Sequence, residues 1–146
     1  MVDSEARNPV HHIELWTDDL AAGEVSWDWL LGALGWTVGD RWTGGVSWRH
    51  AAGPYLVLEQ SPAMRSGGHD RMRAGLNHLA VTCSSVGQLD ALRADAASNG
   101  WSELFAERYP HAGGTNHTAL FLENAQGFEV EIVVPISVGS ELTPGA

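Results

Sequence analysis

Apolar and polar positions change rhythm along this chain in an order that occurs twice. Over residues 10–17 the side chains alternate, with His12, Glu14 and Trp16 on one face and Ile13 and Leu15 on the other, the pattern of a half-buried strand. Leu20, Trp27, Leu30, Leu31 and Leu34 then fall near helical spacing behind Asp18 and Asp19, which are placed to cap a helix and favour its N-terminus electrostatically. Gly32 and Gly35 mark its end. Residues 36–42, 46–50 and 54–60 read as three strands parted by turn signals at Gly39-Asp40, Gly44-Gly45 and Ala52-Gly53. Residues 61–74, with two glycines, one proline and three arginines, hold no period and read as a connector.

The cycle then starts again, about 66 residues on. Residues 76–83 alternate with His78, Ala80 and Thr82 on one face, and Ser85-Val86-Gly87-Gln88 fits a capping box. Leu89, Leu92 and Ala96 form the apolar stripe of the helix behind it, Asn99-Gly100 supplies a left-handed stop, and strands follow at 101–106, 117–123 and 128–134. The expected organisation is a first module over 10–60, a connector over 61–74, a second module over 75–135 and a tail over 136–146.

Each half offers an imidazole on its first strand and an acid on its last. His12 is answered by Glu59, and His78 by Glu131. Neutral imidazole and ionised carboxylate are ordinary donors for divalent metals, so two such halves can close on an ion between them. His11 competes with His12, but a one-residue shift would place it beside Ile13 and Leu15, a face suited to the core. Glu129 and Glu131 share a strand face, which leaves Glu129 as either a rim carboxylate or a surface residue. In Tyr109-Pro110-His111-Ala112-Gly113-Gly114-Thr115-Asn116-His117 two imidazoles flank a glycine pair that can form a lid. His117 is a candidate proton donor, acceptor or positioning group, with a structural hydrogen bond as the alternative. Arg49 and Arg108 are candidates for an anionic substrate group or for surface ion pairs. Trp16, Trp48, Tyr55 and Phe121 suit either a pocket or the core.

The bulk numbers narrow the classes. A chain of 146 residues with 44% hydrophobic residues can bury one core without disulfides, and the single Cys83 cannot form an internal bridge. No apolar run approaches the roughly 20 residues that span a bilayer, so no membrane partner is expected. Residues 1–7 lack the basic start and hydrophobic stretch of a secretory signal, and a cytoplasmic protein is expected. A net charge of -10 opposes a phosphate backbone, so nucleic acid is not an expected partner.

The tandem pattern, with His12-Ile13-Glu14-Leu15 followed seven residues after the histidine by Asp19, resembles the vicinal oxygen chelate superfamily of glyoxalases, bleomycin-resistance proteins and extradiol dioxygenases. The likeness covers about residues 10–135. It implies an α+β fold of two tandem βαβββ modules forming a cup-shaped mixed β-sheet with helices outside, frequently completed across a homodimer. Carried over by position, the family's metal ligands fall on His12, Glu59, His78 and Glu131, for one divalent metal per site: Ni, Co, Zn, Mn or Fe.

That set implies a glyoxalase-like metalloenzyme acting on a small oxygen-chelating molecule by isomerase or lyase chemistry through a metal-stabilised enediolate. Glu131 is the first candidate for the base, Glu59 the second, with His117 beside them. Two alternatives stand: a non-catalytic resistance protein that sequesters an antibiotic or metabolite, and a fosfomycin-type epoxide-opening enzyme or a dioxygenase. Glu59 discriminates, since a fourth donor is expected for glyoxalase-like or epimerase-like chemistry and is unnecessary for the others. Two departures are visible: Asn124-Ala125-Gln126-Gly127 replaces the family's Asp-Pro-Asp-Gly turn, and Glu59-Gln60-Ser61-Pro62 lacks the sequence that follows the first glutamate in glutathione-linked glyoxalases.

Overall fold

A computed structural model describes residues 8–136; the expected tail and the N-terminal residues bearing on a signal segment lie outside the described residues, apart from Ile136. Strand β1 (His12–Trp16) leads into helix α1 (Leu20–Ala33), followed by β2 (Thr37–Trp42), β3 (Gly45–Arg49) and β4 (Tyr55–Glu59). The order then repeats as β5 (His78–Thr82), α2 (Val86–Asp95), β6 (Trp101–Leu104), β7 (Ala119–Asn124) and β8 (Glu129–Val133). The fold is α+β, with two mixed sheets in the orders β1-β4-β3-β2 and β5-β8-β7-β6. Each is parallel at its first pair and antiparallel elsewhere. No strand ladder joins the two sheets among the described residues, so the walls of the expected cup are separate four-stranded units.

The helices start where the sequence signals place them. Asp19 accepts a hydrogen bond from the Ala22 N–H at 3.0 Å, and Ser85 accepts from the Gln88 N–H at 3.1 Å. The capping box departs from its expected form. Gln88 Oε1 accepts from Ser84 N–H and hydroxyl, both at 2.8 Å, while its Nε2 donates to Ala33 O at 3.0 Å. The start of α2 is thereby tied to the end of α1. Gly100, at φ 86°, supplies the left-handed stop expected of it. The strand expected over 101–106 ends at Leu104, because Phe105 takes φ 57° and a single 3-10 turn, Ala106–Arg108, follows.

One hydrophobic cluster spans both halves. Its seam is α1, whose Trp27 meets Trp101 edge to face at 5.2 Å and Phe128 at 6.1 Å. The Trp101 indole N–H donates to Ser26 O at 2.8 Å, satisfying a polar atom that would otherwise be costly to bury. Leu30, Leu31, Leu89, Leu120 and Ile132 complete the centre. Trp48 also belongs to the core rather than a pocket, its N–H donating to Asp28 at 3.0 Å. Among the described residues no helix is long and apolar enough to cross a membrane.

Trp101→Ala should destabilise the protein by about 3–5 kcal/mol in chemical denaturation, the usual cost of emptying a buried aromatic site. Trp101→Phe, which keeps most of the ring and loses the bond to Ser26, should cost measurably less.

Candidate functional site

The second sheet brings three of the chemistry-bearing residues together. The parallel register pairs His78 with Glu129 and Ala80 with Glu131, so His78 and Glu131 are diagonal neighbours on one face. His78 Nε2 lies 3.0 Å from Glu131 Oε2. His117 precedes β7, and its ring packs so closely over Gly113 that a Cβ there would overlap it. Its Nε2 is hydrogen-bonded to Glu131 Oε1. Glu131 is only 8% exposed, so two imidazoles converge on a buried carboxylate. Phe121, directly across from Glu131 on β7, walls the site, with the His78 ring at 6.4 Å and Phe105 edge to face at 5.5 Å.

A chain of hydrogen bonds sets the state of His78. Asn77 Nδ2 donates to Arg71 O at 3.0 Å, which turns Asn77 Oδ1 toward His78 Nδ1 at 2.7 Å. That oxygen only accepts, so Nδ1 carries the proton and neutral His78 presents the Nε2 lone pair to Glu131. A lone pair facing a carboxylate calls for either a second ring proton or a cation. The 3.0 Å separation is that of an ordinary hydrogen bond, and both atoms are of the kind that donate to a divalent cation. Among the described residues no group of three or more His, Cys, Asp or Glu side chains surrounds a common point where an ion would sit, since both imidazoles rest directly on the acid. The fit is therefore in donor chemistry.

Arg71 also neutralises the floor. Its NH1 lies 2.9 Å from Glu129 Oε2 and its Nε 3.4 Å from Glu123 Oε1. Glu129, read from the sequence as a rim or surface residue, is 5% exposed and tolerates burial because that guanidinium is beside it. Arg71 and Asn77 were not anticipated. The connector holding Arg71 has no period, although Asn77 stands next to a candidate ligand.

The first sheet does not repeat the arrangement. Alternation holds, with His12, Glu14 and Trp16 exposed and Leu15 buried, so His12 rather than His11 shares their face. The His12 ring stacks on Tyr55 at 4.8 Å, its Nδ1 is 2.8 Å from His11 Nδ1, and Arg49 lies over Tyr55 at 4.8 Å. Register decides the acid. His12 pairs with Tyr55 and Glu14 with Val57, so the counterpart of Glu131 is Val57, and Glu59 stands one side-chain layer further along, opposite Trp16. The four residues proposed as ligands are thus placed as one touching pair, His78 with Glu131, and two residues of the first sheet with neighbours of their own.

Half-buried Glu59 has its carboxyl raised above its ordinary range, first by loss of solvent and then by the adjacent Glu14 carboxylate. Arg49 and Arg108 are engaged with Asp40 and Glu107, at 3.3 and 3.4 Å. His111 Nδ1 lies 3.2 Å from His117 O, within the glycine-containing loop rather than at Glu131.

Comparisons with known proteins agree with this architecture. A model of the glyoxalase/bleomycin resistance protein/dioxygenase superfamily matches residues 11–121. The chain belongs to that superfamily. A Bacillus subtilis relative of uncharacterised function, YqjT, is 34% identical over 126 residues, covering 86% of this chain and 98% of its own. A solved candidate glyoxalase from Bacillus halodurans is 38% identical, with a TM-score of 0.81 over 88% of this chain and 97% of that one. The lactoylglutathione lyase of Agrobacterium tumefaciens, at 14% identity and TM-score 0.61 over 89% of this chain and 96% of its own, shares the fold. Within the superfamily, this member has its clustered imidazoles and carboxylate on the second sheet.

The raised carboxyl of Glu59 has a stability consequence. The folded state holds this proton to higher pH than the unfolded chain does, so the group's unfavourable contribution appears as pH rises through that window and is full above it. Glu59→Gln should therefore raise the thermal midpoint at pH 7, with the gain vanishing below about pH 4. Thermal melts of both proteins across pH check it.

Proposed function

We propose that this chain is a metal-dependent enzyme acting on a small molecule with neighbouring oxygen atoms, by isomerase or lyase chemistry at the His78–His117–Glu131 cluster. The observation that carries the reading is the buried Glu131 carboxylate met by two imidazole Nε2 atoms, one of them with its tautomer set by Asn77. Members of the superfamily commonly use a divalent metal. His78 and Glu131 would hold it, with His12 as a further donor, because His12 opens β1 as His78 opens β5. When bound, such an ion polarises substrate oxygens as a Lewis acid.

The chain's own residues supply the rest. Glu131 takes a proton from a carbon beside a substrate carbonyl. His117, hydrogen-bonded to the same carboxylate, receives that proton and returns it at the neighbouring carbon. Asn77 holds His78 in one tautomer and ring orientation, while Arg71 pairs with Glu129 at 2.9 Å. Phe105 and Phe121 shield one side from water.

The placement of Val57, in the layer where a second carboxylate was expected, favours one further reading. Two imidazoles with a single carboxylate suit an iron(II) enzyme that activates oxygen. Oxygen consumption with diol or catechol substrates on iron-loaded protein would select it. Turnover of dicarbonyls or their thiol adducts without oxygen would select the isomerase reading.

Purified protein should carry about one equivalent of metal per chain, counted by elemental analysis, on a site with ordinary imidazole and carboxylate donors. His78→Ala and Glu131→Gln should lose it, Glu59→Gln should keep it, and Asn77→Ala should weaken affinity by about 10–100-fold. Full metal retention by both His78→Ala and Glu131→Gln would overturn the assignment.

A further inference from the structure

At the level of Trp16, one row of residues crosses the first sheet. Trp16 on β1 pairs with Glu59 on β4, Glu59 with Gly45 on β3, and Gly45 with Trp42 on β2. Directly paired residues project to the same side of a sheet. All four positions therefore share the face of His12 and Glu14. Gly45 has no side chain, and the Trp42 indole lies in the space this leaves, where a Cβ would overlap its six-membered ring. Glu59 thus stands between two indoles that are 42% and 44% exposed, with Glu14 beside it.

These groups are uncompensated among the described residues. Neither Glu14 nor Glu59 takes part in an ion pair there. The arginine–ring contacts go to Tyr55, Tyr109 and Phe105, and neither Trp16 nor Trp42 receives one. Two strand spacings separate the Trp16 and Gly45 backbones, about 9.6 Å. A group centred over Glu59 is therefore about one strand spacing, roughly 5 Å, from each of those backbone positions, a span on which an indole at either side comes within the roughly 6 Å reach of a cation–π contact.

We propose that Trp16, Trp42 and the Glu59–Glu14 carboxylates form a binding site for an organic cation, an alkylated ammonium group held between the two rings. The walls choose the chemistry. Indole faces offer no lone pair to a metal ion, and they favour a weakly hydrated cation over a strongly hydrated one. The carboxylates disfavour a neutral apolar group of the same shape, which would leave two charges without a partner. The chain's net charge of -10 attracts such a ligand from a distance. This site lies on the first sheet and does not rest on the metal reading.

Titration with choline, followed by tryptophan fluorescence and calorimetry, tests the site. The uncharged isostere 3,3-dimethylbutan-1-ol should bind at least about tenfold more weakly than choline, the factor that one strong cation–π contact supplies. Glu59→Gln, Trp42→Ala and Gly45→Ala should each weaken choline by a similar factor; the last displaces the Trp42 ring without removing it. Circular dichroism confirms folding, and Trp42→Phe replaces Trp42→Ala if that variant does not fold. His78→Ala should bind choline as the wild type does, which separates this site from the metal centre. No choline binding by wild type, equal binding of choline and its isostere, or unchanged affinity in folded Glu59→Gln and Gly45→Ala would overturn the proposal.

Discussion

The parallel pairing of the first and last strands in each half is the constraint on which the chemistry depends. Side chains two apart on a strand share a face, so alternation alone leaves each candidate acid free to occupy any of several levels. Hydrogen-bonded register removes that freedom. In β5–β8 it sets His78 diagonal to Glu131; in β1–β4 the same offset sets His12 diagonal to Val57 and moves Glu59 up one layer, between Trp16 and Gly45. One topology, used twice, thus produces two different surfaces: a cluster of imidazoles on an acid, and a carboxylate between indoles.

Register holds because packing behind the sheets is continuous. Leu15, Leu56 and Leu58 in one half and Val81, Val130 and Ile132 in the other belong to a single buried cluster, and the Trp27–Trp101 contact with its bond to Ser26 joins the halves through α1. Sliding either parallel pair by one residue would turn these apolar side chains to the opposite face, at roughly 1.5–3 kcal/mol for each one exposed. The exposed face can therefore carry charged and aromatic groups whose own contribution to stability is small or adverse, such as the adjacent Glu14 and Glu59 carboxylates. Glu129 and Glu131 are buried on that side of the second sheet, the first held by Arg71 from the connector and the second met by two imidazoles.

Much of this was legible in the sequence. Periodicity gave the eight strands and two principal helices within a few residues, and the caps at Asp19, Ser85 and Gly100 fell where their side chains or missing side chain require. The faces of His12, His78, Glu129 and Glu131 also followed from alternation. Levels did not, because register is fixed by pairing between segments some 50 residues apart, and Glu59 looked equivalent to Glu131 on spacing alone. Arg71 was hidden in an aperiodic connector, and its importance comes from the two acids it meets, Glu123 and Glu129. The Trp16–Glu59–Trp42 row was equally invisible, since its members come from three strands and the placing of Trp42 depends on the absence of a side chain at Gly45.

Register, not residue type, selects the acid that would hold a metal. Anomalous diffraction from crystals grown with cobalt or manganese tests it most directly, because it locates the ion without assuming its ligands. One strong peak is expected, bonded to His78 Nε2 and the Glu131 carboxylate, with Glu59 outside bonding distance. A peak bonded to Glu59, with His78 still resting directly on Glu131, would contradict it.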